Sequence, residues 1–141
     1  MKVLFICKNN QFRSQMATAI YNKLTETNDA TSAGTYVGVQ ENPEGAIIEQ
    51  FFRTPDFFEL MEEQGMLIRK NLTRKLLPEM LGETDIVVSM VEEPFIPDFL
   101  RKAKNVIWWE VENPKFVTKG VAEKTFAEVF ELVKTLINEK V

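Results

Sequence analysis

Val3-Leu4-Phe5-Ile6-Cys7-Lys8-Asn9-Asn10-Gln11-Phe12-Arg13-Ser14 is the stretch from which the rest of this 141-residue sequence can be read. Val3 to Ile6 is a continuous run of β-prone apolar residues, the pattern of a strand buried on both faces of a parallel sheet. A short polar loop follows. From Ser14 to Thr25, Met16, Ile20, Tyr21 and Leu24 recur at helical spacing. A buried strand that hands the chain through a loop to a helix opens an α/β fold, and in such folds ligands bind beyond the carboxyl ends of the strands. The first such end is Cys7.

The remaining chain repeats the alternation. Ala30 to Ala33 reads as a second strand ending at Gly34, and Gly34 to Asn42 as a loop. Pro43 to Phe52 and Asp56 to Gln64 read as helical pieces split by Pro55, and Thr73 to Leu81 as a short helix with Thr73 as its N-cap. Asp85 to Met90 is a third strand, Phe95 to Lys102 a helix, and Asn105 to Trp109 a fourth strand. Val121 to Lys140 is a long closing helix with an apolar stripe of Phe126, Val129, Phe130, Val133, Leu136 and Ile137. The expectation is one α/β domain over residues 1–141, with helices on both faces of a parallel sheet in a three-layer α/β/α sandwich.

Composition narrows the function. Apolar residues make up 45% of the chain and charged residues 27%, as in ordinary globular proteins. The net charge of −4 makes general nucleic-acid binding a poor fit, because that binding runs on phosphate neutralisation. Cys7 is the one cysteine, which leaves no partner for an intrachain disulfide or a CxxC site. The sequence has no histidine, the commonest metal ligand and general base. No cofactor or metal is expected, and neither a signal peptide nor a run of about 20 apolar residues is seen. A cytoplasmic protein with no membrane or nucleic-acid partner is the expectation.

The loop itself carries chemistry. A cysteine, five residues, then Arg-Ser stand between a buried strand and a helix start. A loop of this length can curl so that the backbone N–H groups of Lys8, Asn9, Asn10, Gln11, Phe12 and Arg13 point inward as an anion nest. The helix adds its N-terminal N–H groups and the positive end of its dipole. Arg13 supplies a planar fork for two oxygens of a tetrahedral oxyanion such as phosphate. Thiols in such surroundings ionise readily, so Cys7 is expected to be a nucleophile aimed at bound phosphorus. Ser14 is placed to hydrogen-bond the sulfur. The competing reading is a small, inert, buried cysteine.

With these residues in view, the sequence resembles the low-molecular-weight protein tyrosine phosphatase family, which includes arsenate reductase-like members. Cys7 to Ala17 looks like the family loop and helix start, and Ser32-Ala33-Gly34-Thr35 like its second strand end. Leu72-Thr73-Arg74-Lys75-Leu76, Asp85 to Met90 and Trp109 to Pro114 match later blocks. The resemblance implies a four-stranded parallel sheet in flavodoxin-like order and a reaction through a cysteinyl-phosphate. It implies Cys7 as nucleophile, Arg13 as clamp, and a loop-shaping network of Asn10, Ser14 and Ser32.

The chain departs from the family pattern in four places. Asn9 stands where the family has glycine, so a positive φ is expected there. Phe12 replaces a frequent second cysteine, so an arsenate reductase would need an external thiol. Asn71 stands at the place of a family histidine that supports the loop. Asn113-Pro114 replaces the Asp-Pro pair whose aspartate is the general acid, and an amide cannot protonate a leaving oxygen. Glu112 is the nearest carboxyl that could substitute, with Glu110 two residues further back, against the plainer reading of solvated loop charges.

The function expected is therefore a cysteine-dependent phosphomonoesterase acting on a phosphoaryl substrate and weakened at its acid. The alternatives are arsenate reduction with an external thiol, or a phosphate- or phosphoprotein-binding module without turnover. Phe51, Phe52, Phe57, Phe58 and Met61 read first as packing core and second as a pocket wall. Lys8 and Gln11 are expected at the pocket mouth. Trp108 and Trp109 are expected on opposite faces of the last strand, one of them in the core. Arg69, Lys70, Arg74 and Lys75 read as a solvated basic face.

Overall fold

The computed structural model describes residues 1–141. Strand β1 (Val3–Cys7) lies between β2 (Ala30–Gly34) and β3 (Ile86–Ser89), and β4 (Val106–Trp108) completes a parallel sheet in the order β2-β1-β3-β4. Every residue of β1 is buried. The alternation of a strand sends Val3, Phe5 and Cys7 to one core and Leu4 and Ile6 to the other. The unbroken apolar run is therefore two half-faces, each covered by helices.

The larger core packs α1 (Arg13–Thr25), α2 (Asp56–Glu63) and α5 (Lys119–Lys140) against the sheet, through Met16, Ile20 and Tyr21, through Phe57, Phe58 and Met61, and through Val129, Val133 and Leu136. The smaller core lies beneath α3 (Glu79–Gly82) and α4 (Asp98–Arg101), with Met80 and Leu100 inside it. The three-layer α/β sandwich expected from the alternation is the fold observed. No helix is long and apolar enough to cross a membrane.

Two expected helices are largely absent. Between Pro43 and Phe52 only Ile48–Phe51 turns, as a 3-10 helix. The backbone before it pairs with the 71–73 segment instead: Gly45 N–H donates to Thr73 O, Thr73 N–H to Ala46 O, and Ile48 N–H to Asn71 O. Thr73 is consequently not an N-cap. Its hydroxyl donates to Pro43 O at 2.7 Å and accepts from Ala46 N at 3.1 Å. Helix α3 begins only after Pro78, since a proline disfavours helical backbone in the residue before it. The same rule shortens the helix expected from Phe95, because Pro97 holds its start back to Asp98. The closing helix runs two residues longer at its start, capped by the Thr118 hydroxyl, which accepts from Val121 N at 3.2 Å.

Gly34 shows how closely the second strand end approaches the first. A Cβ there would stand 2.7 Å from Val37 Cγ2, 2.8 Å from Lys8 O and 3.0 Å from Asn10 Cβ. Only glycine lets β2 close against the loop that follows β1.

Phe5 is fully buried, with Tyr21 edge-on at 6.2 Å and Trp109 at 5.8 Å. Phe5→Ala is expected to cost about 3–5 kcal/mol in urea denaturation, and a loss below about 1 kcal/mol would contradict this placement of the core.

Candidate active site

The loop after β1 is organised around Asn10, which is fully buried and has a left-handed φ of 55°. Positive φ falls here and not at Asn9, where the sequence reading expected it. The reason lies in Asn10's bonds. Its Nδ2 donates to Ser14 Oγ and Ser32 Oγ, both at 2.8 Å, and its Oδ1 accepts from Arg74 N at 2.8 Å. The bend is thereby tied to α1, to β2 and to the 71–76 segment.

Cys7 Sγ lies 3.0 Å from Ser14 Oγ, and Asn10 N–H donates to the sulfur at 3.3 Å. Ser14 Oγ already accepts from Asn10 Nδ2, which leaves its single hydrogen free for the sulfur. Helix α1 begins at Arg13 with no side-chain cap, so its first-turn N–H groups remain open beside the loop. Such an uncapped N-terminus favours anions.

Arg13 is 2% exposed. Its Nη1 donates to the carbonyls of Met90 at 2.6 Å and Val111 at 3.1 Å, and its Nη2 to Glu92 Oε1 at 3.1 Å. Of the five guanidinium N–H groups, the two left over, on Nε and Nη2, share one edge. That edge is the fork an oxyanion requires, and Arg13 lines the main cavity. Burial pushes the Glu92 carboxyl up, but Arg13 and the Asn113 amide together hold it below its ordinary value. Sequence reading missed Glu92. The available signal was a carboxylate just beyond the end of β3, on the ligand side of the sheet.

Two more polar residues were missed. Gln15 Nε2 donates to Asn10 O at 3.1 Å, and Asn71 Nδ2 donates to Gln15 Oε1 at 3.2 Å. Asn71 therefore reaches the loop through Gln15. Asn42, 3% exposed, donates to Asn9 O and Tyr36 O and accepts from Gln11 Nε2 at 3.0 Å.

The cavity over Cys7 holds about 620 Å³, a size ordinary for a small-molecule site. Asn9, Gln11 and Phe12 form part of its floor, Phe51, Phe52 and Phe116 its aromatic walls, and Arg53, Asp56, Asn113 and Lys115 its polar lining. The phenylalanine cluster thus divides: Phe51 and Phe52 face the cavity, while Phe57, Phe58 and Met61 are core. Lys8 is not at the mouth. Its ammonium lies over the Phe95 ring at 3.8 Å and the Tyr36 ring at 5.2 Å, where cation–π attraction holds it. Glu110 and Glu112 are exposed and do not line the cavity, whereas Asn113 does. Trp109 packs on Phe5 and Trp108 is 45% exposed, both away from this cavity. Arg69 and Lys70 pair with Glu62 and Glu49 on the surface.

The model for low molecular weight phosphotyrosine protein phosphatases matches residues 2–140. The chain belongs to that family. No curated protein matches it. Among solved structures, a low molecular weight protein tyrosine phosphatase from T. tengcongensis is 26% identical with a TM-score of 0.75, covering 99% of each chain. An arsenate reductase from Archaeoglobus fulgidus is 28% identical with a TM-score of 0.70, covering 98% of this chain and 100% of its own. Vibrio vulnificus Wzb, solved with benzylphosphonate, shares the fold at 15% identity and a TM-score of 0.78, covering 98% of this chain and 97% of its own. The matched range includes the loop from Cys7 to Ser14.

Asn10→Ala removes the side-chain hydrogen bonds to Ser14, Ser32, Arg74 and Gln15 and leaves a side chain without a polar group at a left-handed φ. Thermal or urea unfolding is expected to show a loss of about 3 kcal/mol or more. An unchanged midpoint would contradict the role given to this residue in the fold of the loop.

Proposed function

We propose that this protein is a cysteine-dependent phosphomonoesterase of the protein tyrosine phosphatase type, acting through a cysteinyl-phosphate. The observation that carries the reading is the sulfur at the cavity floor. It faces two donors, Asn10 N–H and Ser14 Oγ–H, beside the open edge of a buried arginine.

In this mechanism the substrate's three non-bridging phosphate oxygens lie against the loop amides and the Nε/Nη2 edge of Arg13. Cys7 Sγ attacks phosphorus as the leaving oxygen departs on the opposite side, toward Asn113. Water then attacks the cysteinyl-phosphate. Sulfur leaves as a thiolate stabilised by the Ser14 hydroxyl, and the water's proton goes to solvent. Phe51, Phe52 and Phe116 provide the surface for an aryl group.

Asn113 hydrogen-bonds the departing oxygen without protonating it. Its place in the cavity wall favours it over Glu112 as the group that meets the leaving oxygen. The missing proton costs about 10²–10⁴ in rate wherever the leaving oxygen is basic. Aryl phosphates with acidic phenols are therefore expected to turn over, and alkyl phosphates to react slower by that factor. Equal rates on both would contradict Asn113 as the group at the leaving oxygen.

Arsenate reduction is the second reading, favoured by the 28% identity to the Archaeoglobus fulgidus enzyme. Phe12 provides no neighbouring thiol, so an external thiol would attack the sulfur of the Cys7–arsenic adduct, releasing arsenite and leaving a Cys7 mixed disulfide that a second external thiol reduces. The assay that decides is p-nitrophenyl phosphate hydrolysis run beside arsenate-dependent thiol oxidation, with Cys7→Ser as control. The expected result is hydrolysis that needs no reductant and disappears in Cys7→Ser. Thiol oxidation without hydrolysis would establish the reductase. Phosphate binding without either reaction would establish a binding module.

A further inference from the structure

Arg13 and Asn113 both line the cavity, and a single residue that does not line it holds them both. Glu92 Oε1 accepts from Arg13 Nη2 at 3.1 Å, and Glu92 Oε2 accepts from Asn113 Nδ2 at 2.8 Å. The three residues come from the start of α1, the segment after β3 and the segment after β4. The neighbouring Glu93 is engaged elsewhere, with Arg101 at 2.7 Å. The root of the Asn113 segment also touches the arginine, through Val111 O at 3.1 Å. The one hydrogen bond of the Asn113 side chain is the one to Glu92.

We propose that Glu92 is a positioning residue that couples the Arg13 clamp to the Asn113 segment, so that fork and amide meet the phosphoryl group as one unit. The proposal rests on the phosphatase reading of Arg13 given above.

The chemistry of the three groups makes the tie specific. An ionised carboxylate has acceptors on both oxygens and no donor, and both of its partners here are donors. Glutamine at 92 would satisfy one of them and turn an N–H toward the other. Aspartate at 113 would set a second carboxylate against Glu92, and like charges at that range repel. The asparagine that departs from the family's acid and the glutamate behind it thus form a matched pair. This also fixes the amide: Nδ2 faces Glu92, because the carboxylate cannot donate to Oδ1.

The test is steady-state hydrolysis of p-nitrophenyl phosphate and inhibition by inorganic phosphate for the full chain, Glu92→Gln, Asn113→Ala, the double variant of these two, Asn113→Asp, and the swapped pair Glu92→Gln/Asn113→Asp. Misplacement of a positioning group by a fraction of an ångström predicts a kcat loss of about 10-fold in each single variant, with KM moved much less. The Glu92→Gln/Asn113→Ala double is expected to be no slower than the slower single. In the swapped pair the glutamine side chain accepts from Arg13 and donates to the carboxylate introduced at position 113, and the lost kcat is expected to return, whereas Asn113→Asp alone, with two carboxylates opposed, is expected to stay slower than the swapped pair. Additive losses in the double, or no recovery in the swap, would overturn the proposal.

Should Glu92→Gln fail to fold, Asn113→Ala on its exposed segment still decides, read by the Arg13 Nε–H resonance during phosphate titration. An Arg13 signal broadened relative to wild type supports the coupling, and an unaltered one overturns it. If the unsubstituted protein neither hydrolyses p-nitrophenyl phosphate nor binds phosphate, the phosphatase reading itself fails. If it does both while the variants act independently, only the role of Glu92 fails.

Discussion

The buried amide of Asn10 is the constraint on which the site depends. A loop of seven residues with inward-facing polar groups has little reason to hold one shape unless something fixes its bend. Asn10 does so by standing in a left-handed conformation and using its side-chain nitrogen and oxygen on three separate segments. A residue at positive φ costs about 1 kcal/mol for an ordinary side chain and less for asparagine, whereas each buried hydrogen bond lost costs about 1–3 kcal/mol. The bonds therefore outweigh the strain. The same bonds orient Ser14 so that its hydroxyl hydrogen is left for Cys7.

Around that bend the charges are arranged in one direction. The sulfur meets N–H and O–H donors, an uncapped helix start and the free edge of an arginine. The arginine could not stay buried on carbonyls alone, because an unpaired charge in low dielectric is costly. Glu92 compensates it from behind the cavity wall, which leaves the front for an anion. In the proposed mechanism the cation stays buried and still meets an anion, because its protein partners take three of its five donors.

Much of this was legible in the sequence, and the illegible part has physical causes. The run Val3 to Ile6, the Cys-x5-Arg-Ser spacing and the helical stripes carry local signals, so the sheet, the long helices and the Cys7–Arg13–Ser14 core of the site could be read directly. The segments 43–52 and 73–81 could not, because long-range backbone pairing decides them. Thr73 looks like a cap in isolation but bonds to Pro43 and Ala46. Gln15, Asn42 and Glu92 were invisible for the same reason: each is an ordinary polar residue until the fold brings its partners from 21 to 79 positions away. Lys8 was misread because charge suggested an anion site, whereas two aromatic rings from other segments claimed its ammonium.

The central claim is that the sulfur of Cys7 takes the phosphoryl group. The most direct measurement quenches the working protein in acid during p-nitrophenyl phosphate turnover, digests it and weighs the peptide that carries Cys7. The account predicts that peptide heavier by one phosphoryl group, with fragmentation placing the group on sulfur. Turnover with the Cys7 peptide unmodified, or with the phosphoryl group on another residue, would contradict it.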